Sequence, residues 1–368
     1  MSDIAILHDR FPGIGGGETF AMEAARVLDA PIYTMYVASG TDIPDDVDVI
    51  TLRQSKYAAG LSKHVLEWHN KGMNPLETLS VALDMTDVDA LTEYDVVLES
   101  GPLSKHYVPT TEQAVLNYPH SPPRGLYDLF RDRVDAVDYP LVGTVFRAYA
   151  KVWRTLDKET NDYVDEFVAN SELIQERIRR YYARDASVVY PAVTGEWRNE
   201  GDEGYFVTWS RLDPEKRINL IAEAFTDLDE RLVIAGDGEQ RELLERIAAD
   251  HDNIDVRGYV EDIESLVASA SAVIYAPKQE DFGLVGAEAL TAGKPLLGVN
   301  EGFTKYQVKP GVTGELFEPN MESIRETVRS FNSTAYKSDR IQKIAKRYSH
   351  ENFKKGLCGV IRKHVADT

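Results

Sequence analysis

The stretch Ala272–Gly298, AVIYAPKQEDFGLVGAEALTAGKPLLG, decides the fold. A β-branched apolar run ends near Ala276, a polar loop follows, and a helix starting at Phe282 or Gly283 carries the small residues Gly286, Ala287, Ala289 and Ala292. A second short apolar run, Pro295–Gly298, comes next. Strand, loop, helix and strand in this order make a parallel crossover unit, the building block of an α/β sheet.

The same alternation extends in both directions. Upstream, the candidate strands are Ile4–His8, Ile32–Tyr36, Val47–Leu52, Asp95–Glu99, Ala114–Tyr118, Glu166–Ala169 and Val188–Tyr190. PAVTGEWRNEGDEG, Pro191–Gly204, has no period and reads as a linker. A second series follows with Tyr205–Trp209, Leu232–Ala235, Ile254–Val256, Ala272–Ala276 and Pro295–Gly298. At 368 residues the chain suits two α/β domains. The expectation is two doubly wound, Rossmann-like domains, 1–190 and 205–348, joined by 191–204 and facing one another across a cleft, with a helix in 349–368 packing back toward the first. Ligands of such sheets bind at the carboxyl ends of strands.

The 61 acidic and 41 basic side chains leave a formal charge of -20, which repels phosphate backbones and excludes general nucleic-acid binding. Small molecules or proteins are the expected partners, and the acidic excess suits a halophilic protein kept soluble in concentrated salt. No window approaches the ~20 apolar residues of a spanning helix. The start, MSDIAILHDRF, lacks the order of a secretory signal, and the single Cys358 cannot form an internal disulfide, so a cytoplasmic setting is expected.

Glu280 and Glu288 are eight positions apart, about 800° around a helix, so both can face one ligand and accept hydrogen bonds from sugar hydroxyls. The amides of Phe282, Gly283 and Leu284 would be the spare donors of a helix start, suited to a diphosphate. An arbitrary glutamate pair at this spacing is more often a dipole-stabilising carboxylate and a solvated one; the surroundings give this one its weight. WSRLDPEKRINLIAEAF, Trp209–Phe225, puts Arg211 and Lys216 in a strand-to-helix loop, where fixed cations would neutralise a departing diphosphate. LVIAGDGEQR, Leu232–Arg241, and VRGYVED, Val256–Asp262, supply two more strand ends, the latter with Gly258, Tyr259 and Val260. In the first half, ILHDRFPGIGGGETF, Ile6–Phe20, is a glycine-rich turn whose Glu18 stands where a dinucleotide fingerprint needs glycine. YPHSPPRGLYD, Tyr118–Asp128, sets His120 just past a strand end.

Together these segments resemble glycosyltransferase family 4, the retaining glycosyl transferases group 1, along most of the chain. QEDFGLVGAEAL matches the family's glutamate, Phe-Gly element and second glutamate. Arg211 and Lys216 match its Arg and following Lys; Gly15, Gly16 and Glu18 match its Gly-Gly-x-Glu loop; Tyr118–Arg124 matches its Tyr-x-His-x-Pro-x-Arg loop. The resemblance implies a GT-B fold and retaining transfer of a hexose, mannose or glucose, from a nucleotide sugar to a hydroxyl of a glycan or lipid-linked acceptor. It places Glu280 on the donor sugar, Glu288 on the ribose, Arg211 and Lys216 on the diphosphate, and the base on the backbone of Gly258, Tyr259 and Val260. It sets Gly15 and Gly16 near donor phosphate and acceptor, and His120 near donor sugar and acceptor. Two departures stand out. Ser210 occupies a position where the family often has glycine, and EGFTKYQV, Glu301–Val308, lies where many relatives have Gly-Gly and a later glutamate. A sugar-nucleotide epimerase and a non-catalytic sugar-nucleotide-binding subunit of the same shape are the alternative readings.

No cofactor or required metal is expected. Asp46–Asp48 and Asp87–Asp89 spell D-x-D, but neither follows a donor-site strand. Val142–Lys158, VGTVFRAYAKVWRTLDK, has Val142, Val145, Phe146, Tyr149, Val152, Trp153 and Leu156 on one helical face and Arg147, Lys151, Arg154 and Lys158 on another. Packing of the apolar face on its own domain is the ordinary reading, and peripheral contact with an anionic membrane is the functional one.

Overall fold

The computed structural model describes residues 3–52, 81–86, 88–135 and 140–365. It divides into two compact units, one running to Tyr190 and resuming at Lys354, the other Pro191–Phe353.

The first unit is built on seven parallel strands: β1 (Ile4–His8), β2 (Ile32–Thr34), β3 (Val49–Thr51), β4 (Val96–Ser100), β5 (Ala114–Tyr118), β6 (Glu166–Ala169) and β7 (Ala186–Val188), in the order β3-β2-β1-β4-β5-β6-β7. The central strands read as unbroken apolar runs because both faces are covered, and Ala5–Leu7 and Val96–Leu98 are almost wholly buried. From β1 the chain passes through helix α1 (Gly16–Leu28) to β2 on one side, then returns to place β4 on the other. The winding therefore reverses between β1 and β4, the position where such sheets open a crevice at their carboxyl ends. The register sets His8 against Ser100 at that end. Pairing beyond β7 stops soon after Val189, whose amide still donates to the Ala169 carbonyl, because Pro191 has no amide to offer. Following the C-terminal helix His350–Ile361, Lys363 and His364 both bind Glu166 at the start of β6, at 3.0 and 2.8 Å.

The second unit repeats the plan with β8 (Tyr205–Trp209), β9 (Arg231–Ala235), β10 (Ile254–Gly258), β11 (Ala272–Tyr275), β12 (Leu296–Val299) and β13 (Gly314–Phe317), all parallel, in the order β10-β9-β8-β11-β12-β13. Phe206, Ile234, Ile274 and Leu297 of this sheet pack with Ile221 and Phe225 of the helix Ile218–Phe225. The reversal here falls between β8 and β11, so the residues following Trp209 and Tyr275 share one end of the sheet. The sequence reading lacked β13. Gly314 and Glu315 interrupt its apolar run, and Gly314, at φ 150°, lies so close to β12 that an added Cβ would stand 1.8 Å from the Leu296 carbonyl oxygen.

Much of the stretch read as a linker is fastened to the second unit. The amides of Glu200 and Glu203 donate to the carbonyls of Ala268 and Ser269 at 2.8 and 2.9 Å. The buried Lys294 ammonium donates to Asn199 Oδ1, the Gly201 carbonyl and the Ala270 carbonyl at 2.9, 2.6 and 2.9 Å. Burial lowers the Lys294 pKa to about 8. Glycine, proline and charge signal irregular backbone, and a coil tied down by one lysine carries the same signature as a free one.

Candidate functional site

In the second unit, β11 delivers Tyr275 to the carboxyl end of the sheet, and the loop after it carries Glu280 back beneath that residue. The Tyr275 hydroxyl donates to Glu280 Oε2 at 3.0 Å, and Lys216, from the loop after β8, donates to the same oxygen at 2.6 Å. Both side chains of the ion pair are about one-fifth exposed. Burial works to raise the Glu280 pKa, but the adjacent Lys216 charge and the two hydrogen bonds outweigh it and hold the carboxylate below its ordinary range. Burial and the Glu280 charge push the Tyr275 phenol well above its usual value, so it remains a donor. A fixed carboxylate, a cation and a hydroxyl donor thus meet at the reversal point.

Arg211 does not join this cluster. Its side chain is 80% exposed and pairs with Asp213 at 3.0 Å. Its loop lies against the turn after β9. Leu212 donates to the Asp237 carbonyl at 2.8 Å, and a Cβ on Gly236, at φ 129°, would stand 1.9 Å from the Ser210 carbonyl oxygen. The turn after β10 completes this end of the sheet. Gly258, at φ 68°, accepts from the Gly236 amide at 2.7 Å, Val260 is half-buried, and Tyr259 projects with 79% of its surface exposed.

The helix expected from Phe282 or Gly283 begins at Leu284 and runs to Thr291 (α2 below). Gly283 caps it at φ 78°, a left-handed conformation that moves Phe282 out of the helix. Phe282 is buried, stacked on Phe303 at 5.6 Å and edge-on to Tyr348 at 5.5 Å, so its ring anchors the loop. Of the three expected donors, Gly283 at the N-cap and Leu284 in the first turn stand where a helix leaves its amides without an intrahelical partner, and Phe282 lies before the helix. Glu288, on α2, accepts from the Trp209 indole at 3.2 Å. Burial, helped by Glu264 and opposed by the indole, raises its pKa to about 7.

In the first unit, Gly15 caps α1 and its amide donates to Glu18 Oε2 at 3.0 Å, so Glu18, at the third helical position, reaches back over Gly16 and Gly17 to satisfy the cap amide. His120 stands at φ 57°, its Nε2 3.1 Å from Ser100 Oγ, which also lies 3.0 Å from His8 Nδ1. A Cβ on Gly17 would rest 3.6 Å from His120 Nε2. Burial, with His8 adding to it, lowers the His120 pKa to about 3, and burial lowers His8 to about 4 against the carbonyls of Ser100 and Arg10. Both imidazoles are neutral near pH 7 and able to donate and accept. Arg124 of the same loop is taken by Asp128 at 3.0 Å.

Tyr275, Trp209, Ser100 and His8 were missed in the sequence. Each ends a strand, where alternation with buried neighbours makes a residue read as core; being last before a loop was the available signal.

The basic helix, Pro140–Glu159, departs from its expected two faces. Trp153 and Ala150 are buried, but Val152 is 62% and Leu156 37% exposed. Arg154 leaves the basic stripe, folding over the Phe130 ring at 4.2 Å and donating to the Leu126 carbonyl. With Lys151, Thr155, Lys158, Glu159 and Asp162 it lines an open groove of about 450 Å³. The side chains of Val142 and Val145 lie outside the described residues. Among the described residues no helix is long and apolar enough to cross a membrane. Asp46 is paired with Arg26 at 2.7 Å, Asp87 falls outside the described residues, and among those described no three His, Cys, Asp or Glu side chains are grouped to hold a metal.

Residues 193–348 match the family model described as glycosyl transferases group 1. An uncharacterized glycosyltransferase of Methanocaldococcus jannaschii is 23% identical over 52% of this chain and 58% of its own length, so the match spans little more than half of that relative. The alpha-1,3/1,6-mannosyltransferase ALG2 of Homo sapiens is 22% identical over 87% of this chain and 85% of its own. The crystal structure of Anabaena Alr3699/HepE in complex with UDP-glucose has the same fold, with a TM-score of 0.71 and 15% identity over 98% of this chain and 99% of that one.

Proposed function

We propose, for a chain whose residues 193–348 belong to the glycosyl transferases group 1 family and whose fold is GT-B, that it is a retaining glycosyltransferase using a nucleoside-diphosphate sugar. The observation that carries the reading is the Lys216–Glu280–Tyr275 cluster at the reversal point of the second sheet. Lys216, with Arg211, is assigned to the diphosphate, Glu280 to hydroxyls of the donor sugar, and Glu288 to the ribose. The base is assigned to the backbone of Gly258, Tyr259 and Val260, and the acceptor to the first domain beside Gly15, Gly16 and neutral His120. Transfer breaks the bond between the anomeric carbon and the phosphate oxygen, forms one to the acceptor oxygen on the same face, and passes the acceptor proton to the leaving phosphate. Cations fixed at the diphosphate stabilise the charge that grows there. The reading assigns no step to a metal.

The test is nucleoside diphosphate release from UDP-glucose, UDP-N-acetylglucosamine and GDP-mannose, with and without lipid-linked and glycan acceptors, and with a chelator. The expected result is acceptor-stimulated release that the chelator leaves unchanged. Failure to turn over or bind any of them contradicts the reading, and chelator-sensitive release restored by a divalent ion removes the metal-free part.

Two expectations follow for particular residues. A ribose hydroxyl needs Glu288 as the ionised acceptor, and its pKa of about 7 means the ionised form fades as pH falls. Donor affinity should therefore weaken below pH 7 by up to about tenfold per unit, as one-proton linkage requires, and hold steady above it. Calorimetric titration with UDP and GDP checks this against Glu288→Gln, which should lose that component; identical profiles for both proteins would reject it. The helix Pro140–Glu159 is assigned to an anionic membrane surface through Arg147, Lys151 and Lys158, with exposed Val152 and Leu156 farther round the helix. Sedimentation with phosphatidylglycerol vesicles should fall at least about tenfold on reversing the three charges, each cation contributing about 1 kcal/mol near such a surface. Equal sedimentation of both proteins would leave the helix a domain surface only.

A further inference from the structure

We infer that Arg217 and Glu301 are positioning residues for sugar transfer, their ion pair holding the Lys216 loop and the Glu280 loop together while the donor's diphosphate draws on Lys216. The inference rests on the donor assignment above.

Glu301 opens EGFTKYQV, the segment in which this chain departs from the family's Gly-Gly and later glutamate. In the structure that segment wraps the donor loop. Gly302, at φ 55°, lies so close that a Cβ would stand 2.4 Å from the Glu280 nitrogen and 2.6 Å from its oxygen. Phe303 donates its amide to the Glu280 carbonyl at 2.8 Å, and the Gln307 side-chain amide donates to the Gly283 carbonyl at 3.0 Å. Whatever fixes Glu301 therefore fixes the backbone of Glu280.

What fixes Glu301 is Arg217, whose Nη1 lies 3.0 Å from Oε2, with both side chains about one-fifth exposed. Arg217 stands at φ 52°, a left-handed conformation that suits glycine and is unfavourable for a residue with a side chain. An arginine at such a position contributes through its side chain, and this side chain reaches Glu301. Its neighbour Lys216 pairs with Glu280 at 2.6 Å, so two adjacent cations tie the loop after β8 both to the Glu280 loop and to the segment after β12 that packs on it. A third tie, from the Lys278 amide to the Glu215 carbonyl at 2.7 Å, is uncharged.

Lys216 has two claims on it. In the structure it neutralises Glu280; on the donor assignment the diphosphate competes for the same ammonium. Any share of Lys216 taken by phosphate loosens the tie that sets Glu280 against the sugar. The Arg217–Glu301 pair keeps the loops in register through that exchange. Loss of this pair should leave nucleotide binding intact and misplace the sugar.

The experiment compares the wild-type protein with Glu301→Gln, Arg217→Met, Arg217→Gly, the single reversals Arg217→Glu and Glu301→Arg, and the double reversal. UDP and GDP affinities are read by calorimetry, kcat and KM with whichever of UDP-glucose and GDP-mannose is turned over, and Tm by thermal melting. UDP or GDP affinity should change by less than about twofold while kcat falls about 10- to 100-fold, the signature of a misplaced reacting group. Arg217→Gly, which relieves the backbone, should lose as much kcat as Arg217→Met, and the double reversal should recover most of what the single reversals lose. Wild-type kcat in Glu301→Gln and Arg217→Met, no recovery in the double reversal, or kcat and nucleotide affinity falling together with Tm would overturn the inference while the donor assignment stood. A wild-type protein that neither binds UDP or GDP nor turns over either sugar nucleotide would overturn both.

Discussion

Replacement of Lys216 by methionine is expected to lower turnover by about 10²- to 10³-fold, the usual cost of removing a fixed electrostatic group from a site of charge development. Methionine keeps the length of the stem and removes the ammonium, which lies 2.6 Å from Glu280 and holds that carboxylate ionised against its burial. Two effects are therefore mixed: loss of charge at the diphosphate, and a half-buried Glu280 left with Tyr275 as its remaining side-chain partner among the bonds described above. The double variant Lys216→Met/Glu280→Gln separates them. Its Tm should return toward the wild-type value, because no unpaired carboxylate remains, while its turnover stays low. Single-turnover rates at saturating donor check this; a Lys216→Met protein within about tenfold of wild type would show that the cation does not act on the leaving group.

The largest effect on stability is expected from Lys105→Met in the first unit. Lys105 and Asp157 are both fully buried and 2.8 Å apart. The ammonium also donates to Asn161 Oδ1 at 2.9 Å and rides 3.8 Å above the Tyr182 ring, while Asp157 accepts from the hydroxyls of Tyr127 and Tyr182 at 2.6 and 3.2 Å. Burial drives the Lys105 pKa down, and the Asp157 charge opposes it. Breaking such a pair from one side costs about 3–5 kcal/mol, because the remaining charge stays buried. For a unit of this size that lowers Tm by roughly 10 °C. Lys105→Met/Asp157→Asn should recover much of the loss, and UDP or GDP affinity, assigned to the other unit, should hold in both variants. Thermal melting by circular dichroism decides, with an unchanged Tm in the single variant contradicting the account.

The sheets were legible because their central strands are covered on both faces and read as apolar runs of the right length; β13, with Gly314 and Glu315 at its start, has no such run. The stretch before Tyr205 reads as a linker because the residues that tie it down, Ala268, Ser269 and Lys294, are far away in sequence and ordinary as letters. Lys216 and Glu280 were each identifiable from their loops, but their direct bond spans 64 positions and needs the sheet order to bring β8 beside β11. Arg154 shows the limit of helical spacing: its position put it on the basic stripe, while an aromatic ring and an open carbonyl on the neighbouring segment drew it aside. Gly15, Gly16 and His120 were read from a resemblance, and the structure adds the Ser100–His8 connection behind His120, which no local pattern encodes.

The central claim is transfer from a nucleotide sugar with retained configuration, and the anomeric configuration of the product tests it most directly. With an α-configured donor that the protein turns over, proton NMR of the earliest product should show an α linkage, with nucleoside diphosphate released in equal amount. A β linkage, or a donor converted to an isomer without release of nucleoside diphosphate, would contradict it.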